Sequence, residues 1–224
     1  MRILLFITLI LFSSISCAIN EAENHISKML NIYKSLNSYE DDGSTSITIT
    51  NRNGDINTEN KTFSTYYSKN SLLKFKWSVL PAELDKELYK LTKNKKILIP
   101  KNYVVWKDST GSYSQYSNKK KENKQSINIA LSSATGISNS LAWLVPRFLS
   151  PDITCAPNLS ASNSEIISIS NNIIKVKQKL PSGTIRILHI NKNTYLLMKY
   201  ESIKELSSGT SYHQISEYNI RSYN

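Results

Sequence analysis

Leu73, Phe75, Trp77 and Val79 alternate with Leu72, Lys74, Lys76 and Ser78 along "FSTYYSKNSLLKFKW" and the two residues after it. Successive side chains of a strand point to opposite faces, so this pattern predicts a ribbon with one apolar and one basic face. The same period of two predicts strands in "STSITIT", Thr62–Tyr67, "KILIPKNYVVWKD" and "TGSYSQYS". It recurs through the last third in "EIISIS", "IIKVKQKL", "TIRILHI", "TYLLMKYES" and "SYHQISEYNI". Turn residues fill the gaps, and "NRNGD" is a hairpin signal because Asn-Gly takes the positive φ angles of a tight turn.

Three segments change period. From Glu21 to Leu36, Ile26, Met29, Leu30, Tyr33 and Leu36 recur at three and four residues and predict an amphipathic helix. "SYEDDG" is expected to end it, with the carboxylates of Glu40–Asp42 as turn residues before Gly43 rather than an acid/base pair. "PAELDKELYKLTK" predicts a second helix, started by Pro81 and carrying Leu84, Leu88 and Leu91 on one face. From Ile127 to Leu149 the period is again helical, with Ile137, Leu141, Leu144, Val145 and Phe148 on one face, a break at Gly136 and a kink at Pro146. "NKKKENK", just before it, reads as a charged loop. Long antiparallel strands with helices inserted at three points predict an α+β fold, built on a strongly curved sheet.

The first residues decide the compartment. Arg2, the apolar run "ILLFITLILF" and the small residues of "SSISCA" form a secretory signal over residues 1–18, leaving 19–224 as one domain. "SISC" also fits a lipobox. If it is read, Cys17 becomes the acylated first residue; if cleavage follows Ala18, Cys17 is discarded. Cys155 is then the sole remaining cysteine and closes no intrachain bridge. The net charge of +11 favours anionic partners, a membrane surface before a nucleic acid, since no nucleic-acid motif accompanies the lysines.

Catalytic chemistry is not legible. There is no phosphate loop, nucleophile elbow or zinc-protease motif, and His25, His189 and His213 are isolated in sequence. His189 and His213 lie in different predicted strands and could meet across the sheet, but without an evident third ligand for a metal. The chain reads as a non-enzyme without a cofactor.

The order of the segments resembles the LolA-like superfamily of outer-membrane lipoprotein-sorting proteins. The resemblance runs through "ISKMLNIYKSLNSYEDDG", then "FSTYYSKNSLLKFKW", which is similar to the family's F-x-T-x-[FY] strand and the strand after it. It continues through "YVVWKDSTGSYSQY", the lid-like "ATGISNSLAWLVPRFLSP" and the late hairpin "RILHINKNTYLLMKYES". Where the family's carrier uses an early-strand Arg, this chain has Lys74 and Lys76. The resemblance implies an unclosed β-barrel with helices in its concave face and an apolar cavity between them. It implies a monomeric periplasmic or cell-envelope protein that binds an acyl chain, lipid or lipoprotein, as a carrier or an anchored receiver. Leu73, Phe75, Trp77, Trp106, Leu141, Trp143, Leu144 and Phe148 are the residues expected to line or gate that cavity. The alternative is a packed structural or interaction module, or an anchored lipoprotein, with no cavity at all.

Overall fold

The computed structural model describes residues 21–79, 90–93, 101–138, 144–154, 159 and 163–224. Cys17, Leu141, Trp143 and Cys155 lie outside the described residues, as does most of the helix expected over 81–93.

One helix, α1 (21–35), opens the described chain. Its buried stripe is Ala22, Ile26, Met29 and Tyr33, followed by Leu36 just beyond the helix. Five strands follow: β1 (Ser38–Thr50), β2 (Ile56–Ser68), β3 (Leu72–Val79), β4 (Lys101–Asp108) and β5 (Gly111–Tyr116). After the short β6 (Glu122–Lys124) come two helices, α2 (Ile127–Ser138) and α3 (Val145–Leu149). The chain ends in β7 (Ser164–Ile169), β8 (Ile173–Lys179), β9 (Ile185–Asn191), β10 (Leu197–Glu205) and β11 (Ser211–Tyr223). No described helix is long and apolar enough to cross a membrane.

All the strands join one antiparallel sheet of eleven, in the order β6-β5-β4-β3-β2-β1-β11-β10-β9-β8-β7. It is two meanders fused where the first strand meets the last. β1 and β11 pair from Tyr39 opposite Tyr223 to Thr50 opposite Ser211. The sheet is not closed: β6 and β7 are its free edges. Its inner face and the helices share a single core, so the molecule is an unclosed half-barrel with helices packed on its inner face. α2 sits against β4 and β5, where Ala130 and Ala134 permit close approach.

Three local expectations need correction. "SYEDDG" is strand rather than turn, because β1 starts at Ser38 and already pairs with both β2 and β11. α2 runs on through Gly136, and Pro146 stands in the first turn of α3, where its missing N–H costs nothing, so it starts a helix and kinks none. The last three residues of "KENK" form β6 rather than a loop. The hairpin at "NRNGD" is present: Asn51 Oδ1 accepts the N–H of Asn53 and of Asp55, and Gly54 takes φ +86.

Gly43 shows why β1 needs a glycine in its interior. A Cβ there would stand 2.2 Å from the Glu217 carbonyl oxygen and 2.3 Å from Phe63 Cζ. Phe63 lies over this gap and meets Tyr218 edge-on at 5.1 Å. Gly43→Ala is therefore expected to destabilise the protein by at least the roughly 1–3 kcal/mol of an overpacked core. Gly54→Ala meets no atom within 4 Å and should cost only the left-handed backbone strain, about 1–2 kcal/mol. Urea unfolding of both variants checks the order; equal losses would contradict it.

Candidate functional site

The inner face of the sheet carries most of the buried residues, and its chemistry changes from the middle outward. Parity along β3 turns Leu73, Phe75 and Trp77 inward, all buried, and leaves Lys74 and Lys76 outside. Across the ladder, Phe75 stands beside Thr65 and Val105, and Trp77 beside Phe63 and Tyr103. The rings stack: Trp77 on Tyr103 at 5.8 Å and Phe63 on Phe75 at 6.4 Å. On the far side of β11, Ile174, Val176, Leu188 and Ile190 continue the apolar floor. α3 covers part of it through Phe148, whose ring lies 5.3 Å from that of Tyr33 on α1.

Of the residues predicted to line a cavity, the structure brings Leu73, Phe75, Trp77 and Phe148 into this core, with Leu144 packed at its margin. Leu141 and Trp143 lie outside the described residues. Trp106 is on the other face. It pairs with Lys74 and Tyr113, meets the Tyr113 ring at a tilt with centroids 5.2 Å apart, and shares the ammonium of Lys121, which sits 3.9 Å from the Tyr113 ring. "YVVW" is apolar on both faces, so its pattern does not fix parity; Tyr103 and Val105 are the inward pair.

Residues that pattern reading missed are polar and buried. Asp41, only 1 % exposed, points into the core. Its carboxylate accepts the Tyr39 O–H at 2.7 Å and the Thr65 N–H at 2.8 Å. Burial pushes its pKa up to about 6, against the pull of those two hydrogen bonds. Burial likewise raises Tyr33, Tyr39 and Tyr218. Tyr33 ties the cluster to the far meander by accepting the Leu197 N–H at 3.2 Å. Two aspartates before a glycine resemble a turn in composition; only the inward parity of Tyr39, Asp41 and Gly43 could have flagged a strand.

Toward the rim that carries the β1–β2 hairpin, the inner face turns polar. Lys61 is buried there, bridged to Glu59 at 3.0 Å and lying over the Trp77 ring at 5.9 Å. Beyond it, Gln178, Arg186, Ser202 and Gln214 stand side by side across β8, β9, β10 and β11, all buried. At the opposite rim a cleft of about 310 Å3 opens beside Tyr67, Leu73, Lys107, Ser150 and Asp152. The segment after α3 is fastened at this cleft. Asp152 pairs with Lys107, Asn128 on α2 donates to the Asp152 carbonyl at 2.7 Å, and the Thr154 N–H donates to Asn128 Oδ1 at 3.0 Å.

His189 and His213 do meet across the sheet, on its outer face, through the two oxygens of Glu201 at 2.8 and 3.6 Å. Burial lowers the pKa of His189, and Lys199 also reaches Glu201. Among the described residues no group of three or more His, Cys, Asp or Glu side chains is arranged to hold a metal ion.

No family model matches the chain, and no curated protein does. Solved structures similar to it include a LolA superfamily protein from Nitrosomonas europaea, 10% identical over 89% of this chain and 92% of that one, with a TM-score of 0.30. A DUF1329 family protein from Desulfovibrio piger is 10% identical over 91% and 92%, with a TM-score of 0.35. The MucA/MucB complex of Pseudomonas aeruginosa matches at 12% identity over 90% of this chain and 58% of that one, with a TM-score of 0.44. The superfamily named from the order of sequence segments is thus represented among them. At such identities and TM-scores none of them assigns a function to this chain.

Asp41 makes stability depend on pH. Its pKa is raised in the folded state, so the protonated carboxyl is the one the fold favours. The stability it contributes is complete below the unfolded value near 4 and is lost as pH rises through about 6. Relative to Asp41→Asn, the wild type should lose about 2 kcal/mol between pH 4 and pH 7. Parallel pH–stability curves for the two proteins would contradict this.

Proposed function

We propose that this chain is a non-enzymatic cell-envelope protein that binds the apolar part of a lipid, an acyl chain or a lipoprotein between its sheet and its helices. The observation that carries this reading is the inner face itself. It is an aromatic and aliphatic floor on both meanders, divided by the polar groups of the β1–β11 seam, and helices cover it in place of a second sheet. Largely apolar concavities with few polar groups are what lipid-like ligands need. Leu73, Phe75, Trp77, Leu144 and Phe148 are the contacts proposed, with Leu141 and Trp143 continuing the same segment; Trp106 is not among them.

An uncharged naphthylamine dye tests this on the purified mature chain. It should bind saturably and be displaced by a fatty acid, with little response to salt, because burial of an apolar chain is not a screened interaction. Trp77→Ala should weaken dye binding about tenfold, which is about 1.4 kcal/mol. It should cost less stability than the roughly 3–5 kcal/mol of truncating a close-packed Trp. A full stability loss with unchanged dye affinity would instead identify a packed core and favour a structural module.

Export and anchoring belong to the same proposal. A cysteine acylated with more than one chain holds a protein stably at a membrane. The lysines would then add about 1 kcal/mol each near anionic head groups. Intact-mass analysis and fractionation of the wild type and Cys17→Ser from a bacterial host decide it. A wild type that is acylated and sediments with membranes, while Cys17→Ser is soluble, is the anchored outcome. A soluble wild type beginning at Ile19 would overturn the anchor and leave a diffusible carrier.

A further inference from the structure

Among the described residues, Arg186 has no partner where a buried charge needs one. It is 7% exposed, and its Nε and Nη1 are buried without a hydrogen bond. Its cross-strand neighbours on the inner face are Gln178 and Ser202, both neutral. Burial, and to a lesser extent the charge of Arg186, holds Arg147 on α3 below an ordinary guanidinium. Burying an unpaired cation in a low-dielectric interior is costly. Lys61 lies farther along the same polar end of the face, already engaged by Glu59.

An anion held by Arg186 would resolve this arrangement. A guanidinium offers planar, forked donors that match carboxylate and phosphate oxygens. Gln178 Oε1, also buried and unpaired, could accept from a hydroxyl on the same head group, while its Nε2 is engaged by the Leu159 carbonyl and Ser164 Oγ. The apolar floor adjoins this end directly: Leu188 and Val176 stand two residues along β9 and β8 from Arg186 and Gln178. We infer that Arg186 forms a head-group site for a carboxylate or phosphate at the polar rim of the inner face. The inference extends the hydrophobic-ligand reading by specifying an anionic amphiphile.

The test compares dodecyl phosphate, dodecanoate and dodecanol as displacers of the uncharged dye, with inorganic phosphate as a separate thermal-shift arm. In the wild type the two anions should bind at least tenfold more tightly than the alcohol. Arg186→Gln should abolish that preference and leave the alcohol unchanged, and Arg186→Lys should keep part of it. The wild-type comparison needs no variant, so a poorly folding Arg186→Gln does not remove the test. Inorganic phosphate that raises Tm of the wild type but not of Arg186→Gln, at matched ionic strength, identifies a site sufficient for the free anion. A preference for dodecyl phosphate without any phosphate effect identifies a lipid head group.

Equal affinity for anions and alcohol, with no Arg186-dependent phosphate effect, would overturn the head-group site and leave the apolar cavity standing. Phosphate stabilisation through Arg186 with no amphiphile bound would do the reverse. Failure of every probe would overturn both.

Discussion

β1 and β11 pair along nearly their whole length, and that pairing makes one sheet out of two meanders. Each of these strands has 13 residues, about 40 Å of extended chain. The seam lies mid-sheet, so the aromatic floor of the first meander and the aliphatic floor of the second face one space. Without it neither meander would bury its inner face. The glycine in β1 belongs to the same constraint, since only a residue without Cβ lets the Phe63 ring and the β11 backbone come so close.

The seam also accounts for the polar groups in the core. Asp41, on β1, accepts from Thr65 on β2 and from Tyr39 within its own strand. Thr45, four residues on, bonds Ser216 of β11 at 2.9 Å. Hydrogen-bonded polar pairs on facing strands hold a register that apolar contacts alone would leave free to slip. The inner face therefore has three zones. Bonded polar groups line the seam, aromatic and aliphatic side chains spread to either side, and an unpaired cation stands near one rim. The first zone serves the fold. The last two have the chemistry of an amphiphile's two ends.

How far the sequence was legible follows from how cleanly each segment separates its faces. β3 alternates apolar with basic, so the inward side of Leu73, Phe75 and Trp77 could be read directly. The α1 stripe was equally plain. β4 is apolar on both sides at "YVVW", so an aromatic residue was no guide to direction, and Trp106 faces outward. "SYEDDG" has the composition of a turn, and only pairing with strands far away in sequence makes it a strand. Pro146 carries two meanings, kink or start, that differ only in where the next helix begins. Arg186 was invisible for a further reason. In "TIRILHI" a single Arg inside a strand reads as a surface residue, and its burial depends on the elements that cover the sheet.

The central claim is that part of the space between sheet and helices belongs to a ligand. Native mass spectrometry of the protein purified without detergent from its own host tests this most directly. The account predicts a population carrying one noncovalent adduct of lipid mass, released into organic solvent as an anionic amphiphile. A spectrum showing only the polypeptide, with no lipid in the extract and a fully stable fold, would contradict it and show that the helices fill the half-barrel completely.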